Sequence, residues 1–207
     1  MGKPQIVFVH GGDSFANREA FLSYLHTVKP RDPIWTPEPR PKWRETLAHR
    51  FVDRSEIFMP TMPNKQNSRY DEWEIWFGLH MPLFRDDIIL VGHSLGGVFL
   101  TKYLAENTLP VRVRTLALVA APFEDTDGSG YYSLADFILP ENLDNVPRQA
   151  GKILLYHSKD DPVVPFTELE KYSRALSGAE TSVFEDQGHF LGEDFPELAE
   201  HIENMLR

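Results

Sequence analysis

IILVGHSLGG, residues 88–97, runs four apolar side chains into a serine flanked by glycines. An uninterrupted apolar run of that length suits a strand buried on both faces, as in a parallel sheet. The apolar residues after the glycines continue to about Glu106 without a breaker and predict a helix starting at Leu95. Strand, sharp turn and helix form the setting in which G-x-S-x-G places a serine on a strained elbow with its hydroxyl exposed. Alone, three fixed positions recur by chance; the flanking elements supply the specificity. Side chains at Gly92 and Gly96 would collide with the neighbouring strand or helix.

Similar units occur on both sides. Short β-branched, strand-like runs cover 5–9, 55–59, 87–91, 115–119, 152–156 and 181–184, several of them apolar at consecutive positions. Helical stripes lie between them: Phe21, Leu25 and Val28; Trp43, Leu47 and Phe51; Trp73, Trp76, Phe77 and Leu79; Leu169, Tyr172 and Leu176; Leu198, Ile202 and Met205. Asp194-Phe195-Pro196-Glu197 reads as an N-cap with a capping box. The spacing of Trp73 and Trp76 suggests that both pack in the core. The expected fold is α/β: a mostly parallel sheet of about six strands with helices on both faces, in one domain over 1–207.

Two stretches break the alternation. PRDPIWTPEPRP, 30–41, holds five of the sixteen prolines and includes Trp35; it is neither regular helix nor central strand. Residues 122–147 carry turn signals, then Tyr131, Tyr132, Leu134, Phe137 and Ile138. This segment lies between two strands, where a small lid would sit.

Composition narrows the function. A net charge of -10 argues against nucleic acid and anionic membrane surfaces as partners, because both attract basic proteins. No apolar run approaches the roughly 20 residues of a membrane span. MGKPQIVFVHGG lacks the apolar core of a secretory signal, so cytoplasm is the expected location. With no cysteine there is no disulfide or thiolate metal site. No histidine pair stands at metal-ligand spacing with a carboxylate, and no phosphate-cradling glycine loop follows His10-Gly11-Gly12, so neither metal nor cofactor is expected.

A serine needs a base to become a nucleophile, and the base needs an acid to orient it. His189, in DQGHF after the last strand, is the candidate base. Asp161, in SKDDPVVP after the fifth strand, is the candidate acid; Asp160 is its neighbour and Asp125 a more distant competitor. The order Ser94, Asp161, His189 is that of the α/β-hydrolase triad. Two backbone N–H groups should hold the oxyanion: that of Leu95 and one from the loop after the first strand, Gly12 first and Asp13 second. His10 and Asp13 are expected to line the substrate pocket. His93 is expected there too, its side chain leaving the elbow in another direction to pack. His26, His49, His80 and His201 fall in helical or surface contexts.

FVHGG (8–12), VGHSLGG (91–97), SKDDPVVP (158–165) and DQGHF (186–190) together resemble the α/β-hydrolase superfamily over nearly the whole chain. The early Gly11-Gly12, MPTMPN (59–64), the Trp-rich helix and the compact 122–147 segment are similar to the small serine hydrolases related to retinoblastoma-binding protein nine and their bacterial YdeN-like relatives. The proline-rich 30–41 segment departs from the smallest of these. The resemblance implies cleavage of a small carboxylic ester or related acyl substrate by Ser94, His189 and Asp161. Thioester or amide (peptidase) cleavage, acyl transfer, and a non-catalytic binding role on the same scaffold are its alternatives.

Overall fold

The computed structural model describes residues 2–28, 41–125 and 133–206. Most of the proline-rich segment, with Trp35, and the 126–132 stretch, with Tyr131 and Tyr132, lie outside the described residues.

Among the described residues, six strands form one parallel sheet in the order β2-β1-β3-β4-β5-β6. They are β1 (Gln5–Val9), β2 (Glu56–Phe58), β3 (Ile88–His93), β4 (Val113–Val119), β5 (Ala150–Ser158) and β6 (Glu180–Phe184). The helices are α1 (Arg18–Thr27), α2 (Trp43–Phe51), α3 (Tyr70–Gly78), α4 (Leu95–Glu106), α5 (Asn145–Gln149), α6 (Thr167–Ala175) and α7 (Pro196–Met205). None of the described helices is long and apolar enough to cross a membrane.

The consecutive apolar residues of the strands divide between two cores, because successive side chains point to opposite faces. Val7, Leu90, Leu116 and Leu155 meet Trp73, Phe77 and Phe99 on one face. Phe8, Ile89, Ala117 and Tyr156 meet Trp43, Phe51, Leu198 and Ile202 on the other. Helices therefore cover both sides of the sheet.

The pairing register positions the site. Val9 lies opposite Gly92, His93 opposite Val119, and Ser158 opposite Phe184. These strands end at one carboxyl edge, so the loops carrying residues 10–14, Ser94, 159–165 and 185–190 emerge together. Open α/β sheets bind ligands at that edge.

Three expectations need correction. Trp76 is 40% exposed and packs edge-on to His80, while Trp73 and Phe77 are buried. On nine residues of helix only one stripe faces the sheet, and i, i+4 spacing gives it to Trp73 and Phe77. Asp194 does not cap α7: the cap position belongs to Phe195, with no side-chain cap bond. Phe195 is buried against Trp43, Tyr156 and Phe184, and that packing sets the helix start. The Phe21–Leu25–Val28 stripe does form α1, but α1 buries no residue and Leu25 is 49% exposed. Much of the described 122–147 segment is core: Leu134, Phe137, Leu143 and Val146 are buried.

Candidate active site

Ser94 sits between β3 and α4 with φ 53° and ψ −125°, a left-handed conformation that L side chains rarely adopt. Its N–H donates to the Val119 carbonyl over 2.8 Å, tying the turn to β4. A Cβ on Gly96 would lie 2.5 Å from the Val9 carbonyl oxygen, and one on Gly92 2.6 Å from the Gly96 carbonyl oxygen. These are backbone obstacles, so the elbow closes only with glycine at both positions. Leu95 is the first residue of α4, at the helix end where N–H groups have no intrahelical acceptor.

Across the sheet edge, His189 Nδ1 lies 2.8 Å from Asp161 Oδ2. An ionised carboxylate only accepts, so Nδ1 carries the proton and Nε2 of the neutral ring keeps its lone pair. Asp161 Oδ1 accepts from the N–H groups of Val163 (2.8 Å) and Val164 (3.0 Å), and its side chain is 0% exposed. Pro162, which has no N–H, separates Asp161 from these two donors.

Asp160 does other work. Its Oδ1 accepts from Ser158 Oγ (2.5 Å) and from the Gly188 N–H (2.8 Å), while Ser158 Oγ accepts from the Gln187 N–H (2.9 Å). These donors hold its carboxyl below the usual range and bind the His189 turn to the end of β5. Asp125 Oδ1 accepts from the Leu134 N–H at 3.1 Å, bridging the ends of the 126–132 stretch.

The loop after β1 approaches the elbow closely: a Cβ on Gly11 would lie 3.0 Å from Ser94 Cβ. One on Gly12 would lie 2.8 Å from both the Lys65 carbonyl oxygen and Ser68 Oγ. The Asp13 N–H donates to the Lys65 carbonyl over 2.8 Å, so that donor is already engaged. His10 Nε2 accepts from the Met62 N–H (2.8 Å), so its proton sits on Nδ1, 2.6 Å from the Gly11 carbonyl. Burial lowers its pKa. His10, Gly12, Asp13, His93, Ser94, Leu95 and His189 all line one open cleft of about 1280 Å³.

A serine hydrolase family model matches residues 33–203, most of the chain. The chain belongs to the serine hydrolase family. Serine hydrolase RBBP9 of Rattus norvegicus is similar at 28% identity over 118 residues, 57% of this chain and 61% of that protein. The chain thus spans less than two thirds of this curated relative's length. The ydeN gene product of B. subtilis has the same fold at a TM-score of 0.75 and 18% identity, with 98% of each chain covered. An esterase from Exiguobacterium antarcticum superposes at 0.60, with 18% identity and coverage of 98% of this chain and 91% of that one. Identities this low carry the fold alone, and that fold is α/β-hydrolase.

Several residues of this serine hydrolase shape the site through partners that a motif search does not reveal. His93 Nε2 donates to the His189 carbonyl (2.9 Å), and burial, with His189 alongside, pushes its pKa down to about 3. It therefore acts as a neutral strut beneath the His189 loop as well as lining the cleft. Trp43 Nε1–H donates to the Phe190 carbonyl (2.9 Å), and the Trp43 backbone N–H to that of Gly192 (3.0 Å). Buried His157 donates from Nε2 to the Val164 carbonyl (2.9 Å) and stands 3.8 Å from Asp161 Oδ2. Only the position of His157 in LLYHS, next to the Asp161 turn, hints at this in the sequence.

Proposed function

We propose that this serine hydrolase cleaves a small carboxylic ester or related acyl substrate through an acyl-enzyme on Ser94. The observation that carries the reading is the 2.8 Å His189–Asp161 bond, made by a fully buried carboxylate at the cleft that Ser94 lines. His189 Nε2 takes the Ser94 proton as Oγ attacks the acyl carbon. The N–H groups of Leu95 and Gly12 stabilise the oxyanion, and His189 returns the proton to the leaving alcohol. Water then attacks the acyl-enzyme with His189 again as base. Asp161 fixes the Nδ1–H tautomer and stabilises the imidazolium formed in each half-reaction.

A fluorophosphonate probe tests the nucleophile. Wild-type protein is expected to be labelled and Ser94→Ala to remain unlabelled; equal labelling of the two would overturn the reading.

A further inference from the structure

The cleft holds a cation that nothing in the hydrolytic reading uses. Arg44, in the first turn of α2, is only 16% exposed at its side chain and lines the same cleft as Ser94 and His189. Burial pushes its pKa below the usual guanidinium value, and its charge is felt at both His10 and His93. The flanking Lys42 and Lys65 add charge of the same sign at His93 and His10 respectively.

A buried guanidinium with a purely structural role would spend its five donors on carbonyls or a carboxylate. Among the described residues, Arg44 donates no hydrogen bond. Its nearest carboxylate oxygen is that of Glu45 at 3.6 Å, beyond hydrogen-bond range. Glu45 is itself substantially exposed, and its other oxygen accepts the Lys42 N–H. Of the other acidic residues lining the cleft, Asp125 is committed to Leu134, and Asp13 has a partner other than Arg44.

We infer that this protein prefers substrates carrying a carboxylate on the acyl or the leaving group, and that Arg44 is the side chain that receives it. A carboxylate would satisfy two parallel N–H donors of the planar fork and the desolvated charge together. The inference rests on Ser94 being the nucleophile, because it takes the cleft as the substrate site.

Two pairs of esters test it. For the acyl side, the mono-p-nitrophenyl ester of glutarate is compared with its methyl ester. For the leaving group, para-acetoxybenzoate is compared with its methyl ester. Each kcat/KM is divided by that compound's own hydroxide-catalysed rate. In wild-type protein the carboxylate member of at least one pair is expected to win by about tenfold or more. Arg44→Met is expected to lose that preference, and Arg44→Lys, which keeps the charge but not the fork, to retain part of it.

A ratio at or below one in both pairs overturns the inference, as does a preference undiminished in Arg44→Met. Should Arg44→Met fail to melt cooperatively, the wild-type ratios and Arg44→Lys decide. Fluorophosphonate labelling run in parallel separates the two levels. Ser94-dependent labelling without a carboxylate preference overturns the inference alone. Absence of Ser94-dependent labelling and turnover overturns the underlying reading, and the inference with it.

Discussion

His189 Nδ1 meets Asp161 Oδ2 at 2.8 Å, while the other oxygen of that carboxylate is held by the backbone of Val163 and Val164. The carboxylate cannot rotate away without breaking those bonds. Asp161→Asn keeps the shape but can present an amide N–H to Nδ1, favouring the wrong tautomer. It is expected to lower kcat on p-nitrophenyl acetate by about 10³–10⁴. Asp160→Asn, one residue earlier, touches only Ser158 and Gly188 and is expected to cost less than about tenfold.

Ser94 stores backbone strain at φ 53°. Glycine relieves that strain, which is of order 1–3 kcal/mol, against a smaller entropic cost. Ser94→Gly is therefore expected to melt about 2–4 °C above Ser94→Ala, with both inactive. Differential scanning calorimetry of the two variants side by side makes the comparison.

Two glycines should respond oppositely to alanine. A methyl at Gly96 would meet the carbonyl oxygens of Val9 at 2.5 Å and His10 at 2.6 Å, neither of which can yield without moving β1. Gly96→Ala is expected to lose about 1–3 kcal/mol or more in urea unfolding. Gly78, in the last turn of α3, has nothing within 4 Å of such a methyl, and Gly78→Ala is expected to gain about 0.5–1 kcal/mol.

Buried histidines make stability depend on pH. Burial holds His93 at about 3 in the folded protein, against roughly 6.5 when unfolded, and lowers His10 and His157 too. Their neutral forms fold, so the contribution is complete above about pH 6.5. For His93 it is lost as pH falls toward 3, and for His10 and His157 as pH falls toward their own lowered values. Over that range only the unfolded chain takes up the proton. Buried His93 and His157 each steepen the decline by up to about 1.4 kcal/mol per pH unit, and partly exposed His10 by less. Urea midpoints measured from pH 7 to 5 are expected to fall, and to fall less in His93→Asn.

Much of the fold is legible in the chain because buried parallel strands need apolar residues at successive positions. The four inner strands, β1, β3, β4 and β5, are buried runs of this kind, whereas the edge strands β2 and β6 fall at their expected places but are half-buried or exposed. Their lengths were less legible: β2 contracts to three residues at the sheet edge, with ladder partners only on β1, while β5, flanked by two strands, extends to nine. Exposure on the helices was harder still. The apolar stripe of α1, in steps of four and three, is as helical in period as the buried one of α2, in steps of four, and periodicity does not say whether a partner surface exists.

The sequence by itself determined the kinds of groups available and their chain order: a glycine-bracketed Ser94, then Asp161, then His189, each after a strand of one parallel sheet. Tertiary structure decided the pairings. Asp160 and Asp161 differ by one position, but the turn before Pro162 sends one to the Gly188 N–H and the other to His189. His93 adjoins Ser94 in the chain, yet it braces the carbonyl of a histidine 96 residues away. Arg44 reads as an ordinary charge near a helix start until α2 docks through Trp43 on the His189 loop and places the guanidinium in the cleft. The physical reason is common to all three: composition and spacing set what a side chain can do, whereas its partner depends on the direction in which packed backbone aims it.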